Sequence, residues 1–225
     1  MILNIPELLK PSQITQAREL LEKAEWIDGK LSAGAQAAQV KNNQEIAKNH
    51  SAAQQISQMI TAALAANKLF AMAALPSKIS PPSFNRYESR QTYGPHIDNA
   101  IRPLPGGGLI RGDISATLFL SNPEDYDGGE LTVEDTFGTH QIKLPSGHMV
   151  IYPASSLHQV KPVTRGVRLA SFFWIQSLIR NDGQRTLLFD LELATQGIRQ
   201  KDPQHPSIMS LVGVYNNLLR QWSEI

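Results

Sequence analysis

Apolar residues recur every three to four positions in two stretches of the first third of the chain. Ile14, Ala17, Leu20, Leu21 and Ala24 form one stripe over 12–25, with Ser12 after Pro11 placed as an N-cap. Ile56, Met59, Ile60, Ala63 and Leu64 form a second over 50–67. Residues 32–45 between them are rich in Ala, Gln and Asn and read as a loop or a weak helix. From about residue 77 the period becomes two. Ile114, Ala116, Leu118 and Leu120 alternate with Ser115, Thr117 and Phe119, the pattern of a half-buried strand. Further strands are expected at 129–134, 139–144, 148–153, 157–163 and 167–178, separated by turn sequences at 127–129, 137–138, 145–147 and 164–166. Short strands at such spacing favour an antiparallel sandwich or barrel. Residues 103–112, with GlyGlyGly at 106–108, read as a mobile loop, a lid being their functional use.

The helical period returns at the end. Leu187, Leu191, Ala194 and Ile198 share a stripe over 184–200. Beyond Ser207, a natural N-cap, a stripe runs through Ile208, Leu211, Val212, Tyr215, Leu218, Leu219 and Trp222. Two such helices have no core of their own. Their apolar faces must meet the barrel or a second copy of the chain, so a homo-oligomer through these helices is one expectation.

Composition narrows the chemistry. A net charge of +1 with no basic run argues against a nucleic-acid partner. No apolar run is long enough for a membrane span and the N-terminus lacks a secretory pattern, so the expected setting is cytoplasmic. The chain has no cysteine, which removes disulfides, thiolate catalysis and cysteine-ligated metals. Metal chemistry would have to use His, Asp and Glu.

His96 and Asp98, in TyrGlyProHisIleAsp, stand two apart and on extended backbone point to one face. A distant histidine would complete a two-His, one-carboxylate set of the kind that binds non-haem Fe(II), and His158 is the best placed. The pair alone is a weak signal in a chain with 6 His. Arg168 adds to it. A guanidinium heading the apolar run LeuAlaSerPhePheTrpIle needs an anionic partner if buried, or else snorkels to solvent.

The motifs around these residues resemble a known group, the Fe(II)/2-oxoglutarate-dependent dioxygenases of the prolyl 4-hydroxylase-like kind, and within it the bacterial PKHD-type hydroxylases. The resemblance rests on 86–100, 114–121, 127–131, 145–153, 156–163 and 166–176, where His-x-Asp, a distal His and an Arg ten residues on occur in order. It implies a mainly β protein with flanking helices, a double-stranded β-helix (jelly roll), over 1–180, and a C-terminal helical appendage over 181–225. It further implies that His96, Asp98 and His158 bind Fe(II) and that Arg168 holds the distal carboxylate of 2-oxoglutarate. O₂ would be the second cosubstrate and L-ascorbate an accessory reductant, with succinate and CO₂ released as the substrate is hydroxylated. That substrate, a prolyl or lysyl side chain or a small molecule, is left open.

Tyr87 and Tyr93 are candidates to hydrogen-bond 2-oxoglutarate, with core packing the alternative. Trp174 could line the pocket or belong to the core. Asn99 and Arg102 could touch substrate, with a solvated loop the alternative; His140 and His148 are expected as ordinary strand histidines, and His50 and His205 facing solvent. Two other readings use the same ligands. One is a zinc hydrolase, which names no general base and leaves Arg168 unexplained; the other is a non-catalytic metal-binding jelly-roll module.

Overall fold

In the computed structural model, which describes residues 1–224, the strand Ile114–Phe119 is buried at all six positions. The alternation that suggested a solvent-facing side has another cause. Ile114, Ala116 and Leu118 belong to a core packed under helices, whereas Ser115 and Thr117 face a cavity between two sheets. The polar residues of this strand are turned toward a site rather than toward water.

The larger sheet has eight antiparallel strands. In spatial order they are Leu3–Ile5, Met149–Pro153, Ile114–Phe119, Arg168–Ser177, Ser83–Tyr87, Gln44–Ile46 and Trp26–Asp28, with Pro76–Ile79 also paired to Arg168–Ser177. The smaller sheet runs Gly138–Ile142, Leu131–Asp135, His158–Val160, Thr92–His96 and Lys41–Asn42. Facing antiparallel sheets whose neighbouring strands are mostly distant in sequence, joined by crossovers, make the jelly roll. One core, with Ile56, Ile60, Leu64, Phe70 and Phe173, lies between the larger sheet and its covering helices. A second, with Phe119, Leu131, Val133, Val150 and Val160, fills the space between the sheets.

Helices form where the 3.6-residue stripes predict them. Pro11–Glu22 buries Ile14, Ala17 and Leu21, and Ser51–Ala66 buries Ile56, Ile60 and Leu64. Residues 32–45 are more ordered than their composition suggests. They hold the end of a 3₁₀ turn, the helix Ala35–Val40 and two short strands, and they pass from one sheet to the other: Lys41 pairs with Tyr93 and Glu45 with Asn85. The 157–163 strand divides into His158–Val160 and Val163–Gly166, the latter pairing with Tyr126–Gly128. Residues 103–112 are largely a hairpin, Ile101–Pro103 against Leu109–Arg111, with its three tip glycines at positive φ. Asp182–Lys201 lies along Lys68–Ala74 and buries Leu188 and Phe189; Ser207–Trp222 packs on it with no fully buried residue. No single helix among the described residues is long and apolar enough to cross a membrane.

Candidate active site

The cross-strand register makes neighbours of residues sixty-two apart in sequence. His158 opens its strand directly opposite His96, which ends its own, and the ring centroids are 4.2 Å apart. Asp98 follows two residues on, and one ligand atom from each of the three lies within 4.8 Å of the others. Each imidazole is oriented by its own backbone. His96 Nδ1 donates to the Gly94 carbonyl at 2.8 Å and His158 Nδ1 to that of Ser156 at 3.0 Å. That tautomer, assigned from the hydrogen bonds, leaves both Nε2 lone pairs free for a metal. Ser115 Oγ donates to Asp98 Oδ2 at 2.6 Å and fixes the carboxylate. Burial first, then the neighbouring His158, push the pKa of His96 down to about 4, so the ring is neutral at ordinary pH. Tyr93 stacks on His96 at 3.6 Å, and its phenol is pushed up to about 12, mainly by burial.

Arg168 lines the same cavity. It is 1% exposed, and Nε and both terminal nitrogens have no hydrogen-bond partner. Its guanidinium lies 5.4 Å from the Tyr87 ring centroid and 5.2 Å from that of Phe119. Leaving a buried charge unpaired costs several kcal/mol (about 3–5), so this arrangement calls for a ligand anion. Gly129, at φ +65°, lets the chain pass close by: a Cβ there would stand 3.1 Å from Arg168 Cδ and 2.8 Å from Val163. Tyr87 is fully buried and its hydroxyl accepts from Asn85 Nδ2 at 3.4 Å. Burial raises its pKa, with Arg168 opposing. Tyr126 is a further buried phenol near Arg168, its oxygen without a partner at full hydrogen-bond geometry; burial raises its pKa and Arg168 opposes. Sequence reasoning missed it; its only signal is its place just before AspGlyGly, at 127–129.

The cavity measures about 780 Å³ with its open mouth included. Trp174 lines it, and so do Asn99 and Arg102, a placement that favours contact with substrate over a solvated loop. Arg102 is brought in by its hairpin, where it pairs with the buried Ile110. The segment 32–45 contributes Lys41, Asn43 and Glu45, none of them singled out from sequence. Lys41 and Glu45 form a buried ion pair, and Lys41 Nζ also donates to Ser32 Oγ at 2.8 Å. The remaining histidines lie outside the cavity lining. His50 accepts from the Ala52 N–H and caps a helix, His205 accepts from the Ser207 N–H, and His140 bonds Asp135 at 2.8 Å across a hairpin.

A jelly roll whose cavity joins two histidines and a carboxylate to an unpartnered arginine defines the class of non-haem iron oxygenases that use 2-oxoglutarate. Residues 82–176 match the 2OG-Fe(II) oxygenase superfamily, and residues 182–224 match the PKHD-type hydroxylase C-terminal domain. The fold superimposes on a Pseudomonas putida prolyl-4-hydroxylase with a TM-score of 0.53, at 17% identity over 78% of this chain and 92% of that one. The alpha ketoglutarate dependent epimerase SnoN gives 0.56 at 14% identity, over 79% and 78% of the two chains. PKHD-type hydroxylases of Bordetella pertussis and Methylobacillus flagellatus are 53% and 54% identical over 100% of both chains. The chain belongs to the PKHD-type hydroxylases and is a 2-oxoglutarate-dependent dioxygenase.

Proposed function

We propose that His96, Asp98 and His158 hold Fe(II), that Arg168 holds the distal carboxylate of 2-oxoglutarate, and that the enzyme hydroxylates a C–H bond of a substrate entering past Arg102 and Trp174. The observation that carries this reading is the buried guanidinium of Arg168, which has no protein partner and lines the cavity of the three ligands. When bound, Fe(II), 2-oxoglutarate and O₂ supply oxidative decarboxylation to succinate and CO₂, coupled to insertion of one oxygen atom into the substrate.

The chain's own groups orient and insulate. Two imidazoles and one carboxylate form a set that leaves coordination positions for other ligands. The Gly94 and Ser156 carbonyls hold the rings, and Ser115 holds Asp98. The planar fork of Arg168 matches a carboxylate with two charge-assisted hydrogen bonds, and the Tyr87 and Tyr126 hydroxyls stand ready to add to them. Phe119, Leu131 and Val160 exclude water around that end. The zinc-hydrolase reading lacks a free base: the one other carboxylate lining the cavity among the described residues, Glu45, is paired with Lys41. With the leading reading go L-ascorbate as reductant, a cytoplasmic setting and the 181–225 helices as an appendage to a 1–180 catalytic domain. The acceptor is a prolyl or lysyl side chain or a small molecule.

Anaerobic loading with Fe(II) or Zn(II), followed by O₂ and 2-oxoglutarate, tests it. Succinate should form with iron alone. His158→Ala should lose iron binding, while His148→Ala keeps it. Succinate release independent of iron, or equal iron affinity in His158→Ala and wild type, would overturn the assignment.

A further inference from the structure

The cavity holds a second guanidinium. Arg102 lies flat on Trp174, its Cζ 3.4 Å from the ring centroid. Among the described residues it donates no side-chain hydrogen bond and enters no ion pair, although burial works against its charge. Trp174 is 7% exposed, and its buried Nε1–H has no acceptor either. The cavity is thus lined by a buried indole N–H with no acceptor and a half-buried guanidinium with no protein acceptor. Stacking on an aromatic face fixes a guanidinium in one plane and leaves its in-plane N–H groups open for an oxyanion.

Charge bookkeeping within the cavity points the same way. Lys41 is matched by Glu45. On the reading given above, the two charges of Fe(II) meet Asp98 and the 1-carboxylate of 2-oxoglutarate, and Arg168 meets the distal carboxylate. Arg102 feels Asp98 and, more weakly, Glu45, but on that reading both are taken up, by the metal and by Lys41. A half-buried cation in that position favours a ligand that brings a counter-charge.

We propose that the primary substrate of this enzyme carries a carboxylate, bound by Arg102 and by the Nε1–H of Trp174, which sets the position of the C–H bond presented to the metal. The proposal rests on the oxygenase reading and names the substrate class for that same site. A binding experiment separates the two. The full-length chain is loaded with Ni(II), which holds the cosubstrate without turnover, and titrated first with 2-oxoglutarate. With that site saturated, so that Arg168 is occupied, benzoate and its uncharged isostere benzamide are titrated by calorimetry. Benzoate should bind at least about tenfold more tightly than benzamide. Arg102→Gln should erase that preference and leave 2-oxoglutarate affinity as it was, and Arg102→Lys should restore part of it. Equal affinity for the two probes, failure of both to bind, or a preference that survives in Arg102→Gln overturns the proposal. If 2-oxoglutarate itself fails to bind in the first titration, the oxygenase reading falls, and the carboxylate assignment falls with it.

Discussion

Arg168→Lys keeps the charge but loses the planar fork, so 2-oxoglutarate should bind more weakly while iron affinity is kept. One charge-assisted hydrogen bond is worth roughly 1.5–3 kcal/mol, which corresponds to about a 10–150-fold higher apparent constant. An unchanged constant with intact iron binding would move the distal carboxylate to another residue. Ser115→Ala tests the support of Asp98, the proposed carboxylate ligand. It removes the 2.6 Å bond to Asp98 without touching a ligand, and should weaken Fe(II) binding about 10- to 100-fold. Calorimetric titration of the anaerobic protein measures this, and wild-type affinity in the variant would mean the carboxylate is held by its backbone alone.

The element that sequence periodicity treats least well is the crossing segment 41–46. Its strands are too short to show a period, yet it closes one side of the barrel by pairing with both sheets. The Lys41–Glu45 pair sits at that crossing, both side chains buried. Glu45→Leu strands the ammonium in the interior with Ser32 as its one remaining hydrogen-bond partner, and should destabilise the protein by about 3–5 kcal/mol. The double variant Lys41→Met/Glu45→Leu should recover most of that loss, since an apolar pair of similar volume needs no desolvation. Urea denaturation of the single and double variants measures both. An unshifted midpoint for Glu45→Leu would show that the pair does not hold the crossing together.

For the molecule as a whole, the C-terminal helices complete the outer layer. Leu188 and Phe189 are buried, Phe189 within the core under the larger sheet, and the Arg185 guanidinium donates to the Ile179 and Arg180 carbonyls where the last strand ends. Truncation after Asp182 removes these contacts but none of the candidate ligands. It should give a chain that aggregates or changes its association state, because Phe70 and its neighbours lose their cover. Light scattering that finds the truncated chain soluble, with unchanged association and stability, would make the helices a dispensable tail. The last helix keeps its stripe only half covered, and Met209 and Val214 are exposed.

Periodicity alone determined where the long helices and the Ile114–Phe119 strand lie, because a repeated burial requirement leaves a repeated mark on the residues that meet it. The Arg168–Ser177 strand was marked instead by an apolar run after the turn at 164–166. Spacing and motif together marked His96, Asp98, His158 and Arg168, since a metal and a dicarboxylate demand particular side chains at particular intervals. Only the tertiary structure decided which polar residues face inward. Ser115 and Thr117 look like the wet side of a strand until a second sheet covers them. Arg102 reads as a substrate contact or as a loop residue until its hairpin folds it onto Trp174. Lys41 and Glu45 become partners where two sheets meet, and Tyr126 joins Arg168 through a strand pairing forty residues distant, Tyr126 to Gly166. Such contacts join residues that no local period links, and one contact made once leaves no repeat to read.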